Sequence, residues 1–333
     1  MNKSYLGTLD YSDPLYEILL TKVFPDVREP VFHVDRISQR RVFKYTEEKS
    51  RIAIVGKFFR LDDVKQERVL RIKGEYDNLH TIRRYGFDAH PNFVVRPIGR
   101  EESIGLALVE EFIQGKDLDH YLKRAIYRGD KDSLRKRLSM LASFLYALHS
   151  KTKSGNDVNP HAAYGYFLKI VQKLRRQDVI SGPEMNQCLK LAEKWLNRPV
   201  LRKTKDVIVH GDATPTNFLF TAGGDVVAID LERMKNADAV LDIGMICGEL
   251  KHVFLWRTGN PHEAEPFIRY FFKSYASHFP NPKKAFMEIT VRNPFYMALT
   301  ELRIARNNYL DWDYRKMLAH EAMECLKWGL KVR

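Results

Sequence analysis

Cysteine is scarce. The 333 residues hold three, Cys188, Cys247 and Cys325, far apart and odd in number, which argues against a disulfide framework and against a cysteine-based zinc site; each reads as a small buried hydrophobe. Long apolar runs are absent too. None reaches the ~20 residues of a membrane span, and residues 1–30 lack the apolar core of a signal peptide, so a soluble, cytoplasmic protein with no membrane span is expected. The formal net charge is +13 and the pI near 9.5, yet there is no Lys/Arg block, zinc-finger spacing or aromatic RNA-binding signature. Charge spread in this way reads as a solvated basic surface rather than a nucleic-acid interface, and a basic cleft would also suit a nucleoside triphosphate. HExxH, Gly-x-Ser-x-Gly and paired CxxC patterns are missing as well. Nothing in the sequence bears on oligomeric state.

What is present is enough for one large domain or two lobes, with 44% hydrophobic residues to supply a core. Tyr5, Leu6, Leu15, Ile18, Leu19 and Leu20 suggest a short helix before Pro25. Three strand-like runs follow, Phe32-His33-Val34, residues 41–45 and residues 52–59, and predict an antiparallel meander. Lys57 stands in the otherwise apolar third run. Such a lysine is most often a snorkelling surface residue, but Ile72, Glu75, Leu79 and Ile82 are spaced three, four and three apart, so Glu75 falls on the apolar stripe of a helix. A carboxylate there needs a cation, and Lys57 is the natural partner. Gly56-Lys57 is not a Walker A loop, because Arg51 stands at the place of its first glycine and Phe58 follows the lysine.

Two more strand-like runs, 93–97 and 104–109, precede Glu110-Glu111-Phe112. From there most segments have helical periodicity: 118–126, 133–150, 161–178, 183–197, a helix beginning near 238–242, and 262–333 broken at 279–282 and at Asn293-Pro294. His149 reads as a helix C-terminal histidine, and Asp242 as a cap. Residues 251–333 carry 14 Lys/Arg against 8 Asp/Glu, which mildly disfavours a polycationic ligand there.

The stretch 207–242 organises the rest. Val207 to Val209 read as a buried strand, and Phe218 to Phe220 and Val226 to Ile229 as two strands joined by a tight turn at Gly223-Gly224-Asp225. Asp212 and Asn217 lie in the polar loop before this hairpin, and Asp230 follows its second strand. A carboxylate, an amide and a second carboxylate at strand ends suit a magnesium-dependent phosphoryl transfer.

His210-Gly211-Asp212 with Asn217, then Asp230-x-Glu232, resembles the aminoglycoside phosphotransferase and choline kinase superfamily, which shares the protein-kinase fold. The resemblance implies an α+β, two-lobed protein-kinase-like architecture: a nucleotide-binding lobe of antiparallel sheet plus helix over 1–109, a hinge at 110–115, and a mainly α-helical catalytic and acceptor-binding lobe over 116–333. It implies that Asp212 is the catalytic base, that Asn217 and Asp230 hold Mg2+, and that Lys57, held by Glu75, positions the phosphates of ATP or GTP. His210, Glu232 and Asp242 are supporting residues. Asp242 would brace the catalytic loop through its amides, and Glu232 would touch metal-bound water or a neighbouring basic residue. Backbone groups of Glu110, Glu111 and Phe112 would meet the base, and the turn at 35–40 would cover the phosphates. That turn has no glycine, unlike the protein-kinase loop, and Ser38 could donate there instead. Gly211 in place of an arginine and Leu231-Glu232 in place of Phe-Gly argue for a hydroxylated small molecule as acceptor, with no activation-loop switch. The acceptor itself is open. The competing reading is a catalytically inert nucleotide- or partner-binding scaffold.

Overall fold

The computed structural model describes residues 4–38, 41–60 and 66–332. They divide into two compact units, residues 1–115 with 219–233, and residues 116–218 with 234–333. In chain order the strands of the first unit are β1 (Ser4–Thr8), β2 (Phe32–Ser38), β3 (Val42–Glu47), β4 (Ala53–Phe58), β5 (Asp88–Ala89), β6 (Asn92–Val94), β7 (Pro97–Glu101) and β8 (Leu106–Glu111). Its helices are α1 (Pro14–Lys22) and α2 (Gln66–Arg84). Six strands form one antiparallel sheet in the order β1-β2-β3-β4-β8-β7. The expected meander is its centre; Tyr5 and Leu6, expected in the helix before Pro25, lie instead in β1, which pairs with β2 and extends the sheet on one side, and the helix begins only at Pro14.

Alternation decides what each face of this sheet carries. Val34, Tyr45 and Ile54 are directly opposite one another across β2, β3 and β4, and their face packs on Leu15, Tyr16 and Leu19 of α1. Helix α1 starts where Asp13 caps the amide of Leu15 and proline follows. The other face carries Val55 and Lys57 and lies against α2.

β9 (Gly115–Asp117) leads into the second unit, followed by α3 (Leu118–Arg128), α4 (Lys131–Lys151), α5 (Pro160–Arg176) and α6 (Gly182–Leu196). The last begins at a capping box of Ser181 and Glu184. Next come β10 (Val207–Val209), β11 (Phe218–Thr221), β12 (Val226–Ala228) and β13 (Lys235–Ala237). β10 pairs with β13 in the second unit. β12 pairs in parallel with β6, Val226 opposite Asn92, so the hairpin segment 219–233 belongs to the first unit although its neighbours in sequence do not. α7 (Val240–Thr258), α8 (Glu265–Ala276), α9 (Pro282–Ala305) and α10 (Trp312–Lys331) complete the chain. No helix of the described residues is long and apolar enough to cross a membrane.

One expected break does not occur. Helix α9 runs straight through Asn293-Pro294, where a proline removes one ladder bond and crowds the preceding turn. The ring is accommodated by Gly329 of α10, where a Cβ would lie 2.4 Å from that of Pro294. Packing thus outweighs the local preference of the proline.

Helices α7 and α9 are held equally close. A Cβ at Gly244 would lie 2.4 Å from Cβ of Tyr296 and 2.9 Å from its carbonyl carbon. Gly244→Ala should therefore cost about 1–3 kcal/mol by overpacking, seen as a lower urea midpoint. Gly74→Ala on α2, where a Cβ meets nothing within 4 Å, should instead stabilise by about 0.4–1 kcal/mol. Equal midpoints for the two variants would contradict this packing.

Candidate active site

In the first unit the site is built on β4 and β8. The register sets Lys57 opposite Leu108 and Val55 opposite Glu110, which puts Lys57 and Glu110 on one face as diagonal neighbours within reach of long side chains. Glu75 enters from α2. Lys57 Nζ lies 2.8 Å from Glu75 Oε1, 3.1 Å from Glu110 Oε1 and 2.6 Å from Asp230 Oδ1. Lys57, Glu75 and Glu110 are buried, whereas the side chain of Asp230 is 47% exposed. Asp230 also has a left-handed backbone, φ +59°, a conformation unusual outside glycine but one that aspartate adopts more readily than most residues.

Burial works against the charged form of Lys57, but Asp230, Glu110 and Glu75 outweigh it and raise its pKa well above the usual value. Burial raises the pKa of Glu75 and of Glu110, with Lys57 opposing in each case. These groups titrate as one cluster.

At the candidate hinge, the amides of Glu111 and Phe112 donate to the carbonyls of Arg96 at 3.1 Å and Ala53 at 3.2 Å. Those two donors are committed to neighbouring backbone, and the side chain of Glu110 points to Lys57. Ser38 pairs with Val42 at the end of β2. Strand β2 thus occupies 35–38 of the expected phosphate turn, and Gln39 and Arg40 lie outside the described residues.

In the second unit, His210 and Gly211 follow β10. Gly211 has φ +75°, which a side chain would disfavour. Asp242, in the first turn of α7 and completely buried, accepts from the amides of His210 at 2.8 Å and Gly211 at 3.0 Å. It does not cap the helix: the N-cap is Ala239, without a side-chain cap, and the amide of Val240 donates to Asp238 Oδ1 just outside the helix at 2.9 Å. His149 is buried as well, with Nε2 3.2 Å from Asp242 Oδ2 and Nδ1 2.9 Å from the hydroxyl of Tyr275. Burial opposes ionisation of Asp242, but its hydrogen bond with His149, the charges of His149 and His210, and the Gly211 amide hold its carboxyl below the usual range.

Asn217 donates from Nδ2 to the carbonyl of Asp212 at 2.9 Å, and the amide of Asp212 donates to Nδ1 of His210 at 3.3 Å. The Asp212 carboxylate pairs with Nη1 of Arg303 on α9, whose Nη2 lies 3.0 Å from Glu249 Oε1 on α7. Burial raises the pKa of Glu249, with Arg303 opposing and Asp212 adding to it. Glu232 lies 3.7 Å from Nε of Arg233.

The sequence reading missed Arg303, Glu249, the side-chain contact of Glu110, and His149 as a partner of Asp242. Arg303 had a readable signal. It follows Tyr296 and Thr300 at seven and three residues, so it sits on the buried stripe of α9 as Glu75 sits on that of α2.

In the second unit Asn217, its Nδ2 committed to Asp212, keeps an amide oxygen, and in the first unit Asp230 offers a half-exposed carboxylate; each is a donor type that suits a hard cation. Among the described residues no group of three or more His, Cys, Asp and Glu could hold a metal ion.

The fold is kinase-like. The chain is similar to ethanolamine kinase from Plasmodium vivax at 11% identity, covering 93% of this chain and 87% of that one with a TM-score of 0.61. It is similar to choline kinase LicA from Streptococcus pneumoniae at 16% identity, covering 94% and 99% with a TM-score of 0.53. It is also similar to APH(2")-IIa in a streptomycin–ATP ternary complex at 12% identity, covering 95% and 97% with a TM-score of 0.53. No curated protein matches it. The model of the phosphotransferase enzyme family matches residues 33–281, well over half of the chain, and the protein belongs to that family.

Proposed function

We propose that the protein transfers the terminal phosphoryl group of ATP, or of GTP, to a hydroxyl of a small metabolite or antibiotic. The observation that carries this reading is the buried Lys57 ammonium, held by Glu75 beside the half-exposed carboxylate of Asp230. Such a fixed cation positions phosphates, and such a carboxylate can take a metal. Asn217 and Asp230 would hold Mg2+, which would supply charge neutralisation on the phosphates. Asp212 orients the acceptor hydroxyl and takes its proton as the new O–P bond forms and the bond from the γ-phosphorus to the bridging oxygen breaks, the electron pair leaving with the nucleoside diphosphate. Asp242 and Asn217 hold the loop that carries Asp212. With the Glu111 and Phe112 amides committed, base reading falls to backbone groups from Ile113 onward and to the carbonyl of Glu111. Ethanolamine, choline and aminoglycosides are the acceptor types to offer first, on the strength of the similar structures alone.

Thermal unfolding tests the nucleotide half. At about 100 times its dissociation constant, MgATP or MgGTP should add roughly 2.7 kcal/mol, a shift of several degrees for a protein of this size. Asp230→Ala or omission of magnesium should remove most of it. No shift with either nucleotide would overturn the reading.

A further inference from the structure

An ammonium group has three N–H bonds and no more. Lys57 faces three carboxylates, hydrogen-bonded to Asp230 at 2.6 Å and Glu75 at 2.8 Å and ion-paired with Glu110 at 3.1 Å, as many partners as it has N–H bonds. A phosphate oxygen can gain a direct hydrogen bond from Nζ only if one carboxylate gives up its own.

The three are not equivalent. Glu75 is 2% exposed on α2 and Glu110 is 3% exposed on a central strand. Releasing either from Lys57 would leave a carboxylate buried without its cation, a costly state. Oε2 of Glu110 already lacks a hydrogen-bond partner, and among the described residues Lys57 is the cation that pairs with this side chain. Asp230 is half-exposed and can exchange its bond for water or a cation at little cost.

We propose that Glu110 is a second permanent anchor of Lys57: when a magnesium–nucleoside triphosphate binds, Lys57 keeps Glu75 and Glu110 and exchanges its bond to Asp230 for one to a phosphate oxygen. This rests on the nucleotide-binding reading above. Glu110 is a positioning residue, acting through Lys57 and touching no reacting atom. Having two anchors makes the position of the ammonium redundant, so losing one leaves it held by the other.

Calorimetric titration of MgATP into the wild type and into Glu75→Gln, Glu110→Gln and the double variant tests this, with MgGTP used if that is the nucleotide that binds. Each single change should weaken binding by about 10-fold or less, and the pair should cost on the order of 10-fold more than the product of the singles. Glu110→Met, which keeps volume but no oxygen, should behave as Glu110→Gln or somewhat worse. The matching nucleoside without phosphates is the second probe: its affinity should be unchanged in every variant, because Lys57 serves only the phosphates. Equal losses for nucleoside and triphosphate would reduce Glu110 to general packing and overturn the proposal. So would a double variant that binds MgATP as the wild type does, or a Glu75→Gln variant as impaired as the double. A wild type that binds neither triphosphate would sink the nucleotide reading itself, and the proposal with it.

Discussion

Asp212→Asn should lower phosphoryl transfer by about 100- to 10,000-fold while leaving the nucleotide-induced thermal shift intact. Asparagine has the same shape and can still orient a hydroxyl, but it cannot accept the proton that the acceptor loses. The backbone of the loop is held apart from that charge, Asp242 accepting from the amides of His210 and Gly211 and Asn217 donating to the carbonyl of Asp212, and an asparagine oxygen can still accept from Arg303. Release of nucleoside diphosphate, measured with ethanolamine, choline and gentamicin and with water as the baseline acceptor, reports the loss. Undiminished turnover in this variant would remove Asp212 from the role of base.

The second large effect concerns Arg303. Its guanidinium joins the carboxylate of Asp212 to that of Glu249, and its side chain is 13% exposed. Arg303→Met leaves two partly buried carboxylates without their shared cation, and breaking such a pair by removing one member costs about 3–5 kcal/mol. A melting temperature lower by roughly ten degrees is expected, together with reduced transfer because Asp212 loses the contact that fixes its rotamer. Arg303→Lys should be intermediate, since a single ammonium cannot present a planar fork to two carboxylates. Glu249→Gln should be milder than either, because the amide oxygen can still accept from Nη2. If Arg303→Met melts with the wild type, the bridge contributes no net stability.

Much of this site could be read from residue types at strand ends and on helix stripes. Glu75 was found because a carboxylate on an apolar stripe demands a cation, and the structure places it 2.8 Å from Lys57. Residue type alone read Asp242 as a cap; the resemblance implied that it holds the amides before Asp212, and it accepts from those of His210 and Gly211. Glu110 escaped because in one dimension it looks like the start of a polar connection; only the register between β4 and β8 turns it toward Lys57. His149 escaped for a related reason, since a histidine in the last turn of a helix already has a sufficient local explanation in the dipole. The break expected at Pro294 failed because the compensating glycine lies 35 positions away, at 329. Local preference is legible in a window of a few residues. The tertiary contact that overrides it is not.

The parallel pairing of β12 with β6 bears on how the molecule is made. During synthesis, residues 1–115 emerge with Asn92–Val94 of β6 still lacking the partner that arrives more than a hundred residues later. The whole first segment of the second unit must leave the ribosome in between. Until it has, an unfilled strand edge is open to other chains, and the loop to be closed is a long one. The segment that fills this edge also carries Asp230. Completion of the nascent first unit therefore brings Asp230, two residues past the end of β12, into that unit in the same event.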